Sequence, residues 1–129
     1  QSQSFPPLFS QGFPAHYRFL QEREFRGDFW ALLYLNNTPD QARALQQHLA
    51  QDVLAFELSA QLVEHFRDFG RSDHLAFWEA GRPCMMLTNT ANFRNPNYHR
   101  PSDTADTLNF EVMAELTANL SDFLTSSSA

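Results

Sequence analysis

Seven consecutive apolar residues, Phe29 to Leu35 (FWALLYL), stand between Gly27-Asp28 and Asn36-Asn37. A short apolar run bounded by turn residues predicts a strand buried on both faces, the pattern of a parallel sheet covered by helices. Thr38 and Pro39 follow as an N-cap and a first helical residue. Ala42, Leu45, Leu49 and Val53 then recur at helical spacing, which predicts a helix with one apolar face. Strand followed by helix is half of a βαβ unit.

Residues 54–69 fit either a strand and loop or a continued helix, and a short strand near Leu54 to Leu58 is expected. Ser72 predicts the cap of a short helix that ends at Gly81. PCMMLTNT reads as a second buried strand, and ANFRNPNYHRPSD as a polar loop broken by Pro96 and Pro101. Asp103 or Thr104 is expected to cap a last helix carrying Leu108, Val112, Met113, Leu116, Leu120 and Phe123.

Before the first strand, Pro6, Pro7 and Pro14 predict an extended, irregular lead-in over residues 1–26 that lays aromatic side chains on a surface. His16 within it reads as an exposed or capping histidine. The tail, residues 125–129, is expected to be disordered. The expected architecture is one α/β domain over residues 1–129, a mostly parallel sheet flanked by helices.

Composition narrows the function classes. Hydrophobic residues make up 43% and charged residues 19%, which fits a folded globular chain. Nine Lys and Arg are scattered against 15 Asp and Glu, a net charge of −6, so a nucleic-acid footprint is not expected. No apolar run approaches the roughly 20 residues of a membrane span. The opening residues lack a basic start with an apolar stretch, so no signal peptide is expected within them. One cysteine, Cys84, excludes an internal disulfide and a cysteine-based zinc cluster. Thirteen Phe supply material for a large core or a flat interface.

In open α/β sheets, ligand sites lie beyond the carboxyl ends of the strands. The loop after PCMMLTNT occupies such a place and carries Asn89, Asn92, Arg94, Asn95, Asn97, Tyr98, His99, Ser102 and Asp103. That density of polar side chains in one long loop points to function as readily as to a solvated surface.

Order and spacing sharpen this. SDHLAFWEAG, then a strand, then NPNYHRPSDTADTL, resembles the closing segment of zinc-dependent aminopeptidases of the co-catalytic two-metal type, whose fold glutaminyl cyclases share. The resemblance spans roughly 40 residues, Arg71 to Leu108, and implies an α/β peptidase-like fold. It implies that His99 ligates a zinc and that Tyr98 reaches the substrate carbonyl and helps to stabilise the oxyanion. Asp103, four residues beyond His99, would orient the imidazole or brace the loop. Asp73 matches an acidic position at the rim of the active site. His74 would lock the short helix, and Arg94 and Asn95 would hold the loop's shape.

A co-catalytic site also needs a first His, a bridging Asp, a Glu-Glu pair and a further carboxylate, all of which the resemblance places upstream of the matched segment. Glu22 and Glu24, split by Arg23, do not replace the pair. Zinc is therefore the cofactor expected in a complete parent enzyme, with none held tightly by this chain alone. The function expected is that of the C-terminal portion of an aminopeptidase acting on peptides with a free amino terminus, inactive as this chain alone. The alternative is a non-catalytic binding or assembly module that keeps half of the peptidase fold. Glutaminyl cyclisation is a third option. Unpaired strand edges and the Phe-rich lead-in predict a homodimer or docking to a missing N-terminal half. The resemblance also implies export to the periplasm or outside the cell.

Overall fold

The computed structural model describes residues 9–49 and 52–126. At its centre is the predicted strand, β1 (Trp30–Leu35). Its side chains alternate between two cores, as the pleat requires. Ala31, Leu33 and Leu35 join Leu20, Phe56, Leu58, Val63 and Trp78 on one face. Leu32 and Tyr34 join Ala42, Leu45, Leu49 and Val53 on the other. Helices cover both faces, which explains why the run is apolar without alternation.

Helix α3 (Pro39–Leu49) follows β1, with Ala42, Leu45 and Leu49 buried as the spacing predicts, but Val53, expected on the same helical stripe, lies beyond its end in a strand. It carries the chain to β2 (Val53–Leu58), which pairs parallel to β1 from Trp30↔Val53 to Leu35↔Leu58. The short strand expected near Leu54 to Leu58 is therefore present.

Beyond β2, Ser59 caps α4 (Ala60–His65), its Oγ accepting from the Leu62 N–H at 3.1 Å. A 3-10 turn, Arg67–Gly70, leads to α5 (His74–Glu79), and Gly81 (φ 66°) ends it in the left-handed conformation that glycine adopts without cost. Ser72 does not cap α5 with its side chain: its backbone carbonyl accepts from the Leu75 N–H, and Asp73 is the residue at the N-cap position.

β3 (Met85–Thr88) pairs antiparallel to β1, Ala31↔Thr88 to Tyr34↔Met85. The sheet order is β2-β1-β3, so it is mixed, with one parallel and one antiparallel pairing, and not mostly parallel. Two α-helices and a 3-10 turn separate β2 from β3, and the chain returns along the opposite side of β1 in the reverse direction.

The lead-in corrects the extended reading. Residues Phe9–Gly12 form α1 and Pro14–Glu22 form α2. Pro14 lies in the first turn of α2, where a missing N–H costs nothing. The prolines that suggested extended chain therefore include one that starts a helix. Phe13 is 8% and Leu20 1% exposed, and Phe9, Phe19 and Phe25 pack against the same core. His16 is not a surface or capping residue. Its Nε2 hydrogen-bonds the Ala55 carbonyl at 2.7 Å, and its ring stacks on Phe56 at 4.3 Å. Phe5, Pro6 and Pro7 lie outside the described residues.

The last helix, α6, runs Phe110–Ser126. Its cap is Asn109, whose Oδ1 accepts from the Val112 N–H at 3.2 Å, not Asp103 or Thr104. Leu108 precedes the helix and is exposed. Leu116, Leu120 and Phe123 pack toward the Leu45 and Leu49 face, while Val112 and Met113 stay exposed. His48 of α3 reaches Asp122 of α6 at 3.2 Å. Thr125 and Ser126, expected in a disordered tail, belong to α6; the remaining tail residues, 127–129, lie outside the described ones.

Candidate functional site

The polar loop leaves the end of β3 in a turn fixed by its own side chains. Thr88 Oγ1 accepts from the Thr90 N–H at 3.0 Å, and Asn89 Oδ1 from the Ala91 N–H at 3.4 Å. Thr90 and Ala91 have φ of 72° and 45°, in the left-handed region, and a 3-10 turn Ala91–Phe93 follows. Two ties then hold the loop in place. Arg94 Nη2 donates to the Phe29 carbonyl at 2.8 Å, and its guanidinium lies 4.6 Å over the Phe29 ring. Burial pushes the Arg94 pKa down to about 10, offset in part by the Asp28 charge, so the guanidinium stays protonated at neutral pH. Asn95 makes the second tie. Its Oδ1 accepts from the Asn97 N–H at 2.9 Å, and its Nδ2 donates to Asp103 Oδ1 at 3.1 Å, closing the loop on itself.

This frame presents Tyr98 and His99. Their rings stack at 3.9 Å with planes 16° apart, and His99 has φ 56°. A non-glycine residue in the left-handed region costs free energy that the surrounding loop must supply. Tyr98 is half-buried and His99 exposed. The described hydrogen bonds of Asp103 run to Asn95 and Arg100, not to His99. Asp73 is exposed at the start of α5, and no described contact joins it to Tyr98 or His99. His74 is 6% exposed; Nε2 donates to the Phe69 carbonyl at 2.6 Å and the ring meets the Trp78 ring edge-on at 4.5 Å. Trp78 Nε1 in turn donates to the Cys84 carbonyl at 3.0 Å, tying α5 to the start of β3.

Sequence reasoning missed Arg71. Its Nη1 donates to Asn92 Oδ1 at 2.8 Å and to Asp68 Oδ1 at 3.2 Å, and the guanidinium lies 5.9 Å over the Tyr98 ring. Arg71 thus bridges the turn before α5 and the loop after β3. The signal was available, since Arg71 directly precedes the SDH motif. Beside it opens a cavity of about 310 Å³, with Phe13, Phe29, Leu33, Phe56, Phe69 and Met86 among its walls. Asp68, Arg71, Asn92 and Tyr98 also line it.

The sequence matches the profile of Peptidase family M28 over residues 20–124, most of the chain. The chain belongs to peptidase family M28. This is a zinc-dependent family of aminopeptidases and glutaminyl cyclase-like proteins, and the closing-segment resemblance read from Arg71 to Leu108 falls inside the match. The Uncharacterized protein YfbL of Escherichia coli (strain K12) is 37% identical over 93 residues, covering 70% of this chain and 28% of that protein. The chain therefore spans less than a third of that relative's length. No solved structure gives a significant match.

The described residues do not fit a zinc ion of this family by themselves. No group of three or more His, Cys, Asp or Glu side chains comes together among them in a metal-binding arrangement. A zinc site needs three or four such donors. His99 faces solvent, and His74 has its Nε2 committed to Phe69.

Proposed function

We propose that the chain is the C-terminal portion of an aminopeptidase of this family, hydrolysing N-terminal peptide bonds when the rest of the site is supplied, and inactive alone. The observation that carries this reading is the stacked Tyr98–His99 pair, held on a loop after β3 by Arg94 and by the Asn95–Asp103 bond. Tyr98 donates its phenolic hydrogen to the scissile carbonyl oxygen as negative charge develops there, a stabilisation felt more in the transition state than in the substrate. His99 is the one zinc ligand this segment contributes. Asp103 acts on it only through the loop, since its carboxylate accepts from Asn95. Asp73 forms part of the rim.

The test is hydrolysis of aminoacyl p-nitroanilides in the presence of zinc, by this chain and by a longer protein that carries it. The expected result is no turnover by the chain and turnover by the longer protein, lost on His99→Ala. A longer, folded protein that cleaves none of these substrates overturns the reading and favours a non-catalytic module with half of the peptidase fold.

A further inference from the structure

The cavity beside Arg71 is lined by aromatic and aliphatic side chains from both α2 and the sheet. Phe13 comes from the start of α2, Leu33 from β1, Phe56 from β2 and Met86 from β3. Its volume, about 310 Å³, lies at the lower end of the range of small-molecule sites, about 300–1,000 Å³. Such sites combine apolar walls with a few polar groups that fix a ligand's orientation. Among the described residues of the lining, Arg71 is the one arginine or lysine, with His74 also present.

The state of that guanidinium sets the ligand's head group. Both described hydrogen bonds of Arg71 run from Nη1, to Asn92 and to Asp68. None is described for Nε or Nη2. The Asp68 carboxylate is 47% exposed, so water screens its opposition to a second anion. A planar guanidinium with one edge engaged keeps another for a carboxylate, with which it forms paired charge-assisted bonds. Asn92 and Asp68 restrain the guanidinium, whose side chain is 45% exposed, so part of its side-chain entropy is already lost before binding.

We propose that this cavity binds a small amphiphilic monocarboxylate, with its apolar body among Phe13, Phe56 and Met86 and its carboxylate on Arg71. The assignment rests on the cavity and Arg71, and it does not depend on the peptidase reading. Tyr98, whose ring stacks on His99, also lines the cavity.

The probe is 4-phenylbutyrate, titrated calorimetrically into the 129-residue chain beside its neutral counterpart 4-phenylbutyramide. The methyl of Met86 is followed by NMR. The acid is expected to bind saturably, shift the Met86 methyl and bind about tenfold more tightly than the amide, a gain typical of a hydrogen bond to a charged group. Arg71→Met should abolish that preference and leave amide binding in place, while Arg71→Lys should keep part of it. Equal affinities for acid and amide, saturation without a Met86 shift, or no saturable binding by the folded chain would each overturn the proposal. If Arg71→Met fails to fold, the comparison of acid with amide on the unsubstituted chain decides alone. No peptide is cleaved in this experiment, so its outcome is independent of the aminopeptidase test.

Discussion

Gly27 and Arg94 are in such close contact that a methyl group on Gly27 would lie 2.5 Å from Arg94 Nε and 2.6 Å from its Cδ. The arginine crosses the glycine on its way to the Phe29 carbonyl, so the turn before β1 and the loop after β3 are locked by one side chain. The contact involves the stem of the arginine as well as its tip. Relieving it requires the Arg94 side chain or the turn at Gly27 to shift.

Gly27→Ala should therefore destabilise the chain by about 1–3 kcal/mol, the usual cost of forcing an atom into a packed site. It should also loosen the loop that carries Tyr98 and His99. Thermal denaturation measures the first effect, and hydrogen exchange at the Asn97 and Asp103 amides measures the second. Arg94→Met should loosen the same loop without the steric clash, because it leaves the Phe29 carbonyl without its described side-chain donor. Unchanged exchange in both variants would show that the Arg94 tie does not hold the loop.

Much of the sheet was legible because burial leaves a direct mark on sequence. FWALLYL reads as β1 since both faces of that strand meet apolar side chains, and Ala42, Leu45 and Leu49 read as the buried stripe of α3. Signals with two physical meanings were misread. Pro14 breaks a helix in its interior and starts one in its first turn, and only the packing of Phe13 and Leu20 against β1 and β2 selects the second. Asp103, Thr104 and Asn109 are all acceptable caps, and the 3-10 turn Ala105–Thr107 leaves the role to Asn109. The direction of β3 is set by a long connection and has no local signature. In the site loop, Tyr98 and His99 stood out as a motif. Arg71 did not, because its place depends on Asp68 and Asn92, the second of which lies 21 residues away.

Tyr34 gives a pH prediction. It is 6% exposed, and its hydroxyl donates to Glu57 Oε2 at 3.4 Å. Burial raises its pKa above 10, and the Glu57 charge and hydrogen bond push the same way, against a smaller lowering by Arg43. The unfolded chain then loses this proton first as pH rises past 10. Above that pH the folded state holds more protons than the unfolded state, and stability falls until the folded phenol also ionises. Tyr34→Phe should flatten this loss between pH 9 and 11 as followed by urea denaturation, with the neutral-pH stability changing less. A variant whose alkaline slope matches the parent's would place the titration elsewhere.

Asn109→Ala removes the side-chain acceptor for the Val112 N–H. The expected cost is about 1 kcal/mol, typical of losing an N-cap. Because α6 has no fully buried residue, the loss should appear first as fraying of its first turn. Exchange at the Val112 and Met113 amides should accelerate before any change at β1. Equal acceleration across the chain would mean that α6 and the sheet open as one unit.

Zinc affinity separates this chain from a protein that completes its site. His99 is exposed, and no three donors converge among the described residues, so the isolated chain should bind zinc weakly, without a saturating 1:1 or 2:1 transition in calorimetric titration. In a longer protein that carries the segment, zinc should bind tightly, and His99→Ala should cost one equivalent of metal and most of the peptidase activity. Tyr98→Phe should behave differently. In the role proposed for Tyr98 it would remove a hydrogen bond that strengthens in the transition state, so kcat should drop by about 10²–10³ while metal content and KM stay close to the parent's. Asp103→Asn should do milder damage than either, a loss of about 10–100-fold if it acts on the metal site. The structure routes that effect through the Asn95 side chain, since Asp103 accepts from Asn95 Nδ2. Asn95→Ala should then reproduce the Asp103→Asn defect, and combining the two should add little. Additive losses in the double variant would show that Asp103 reaches His99 by a contact of its own.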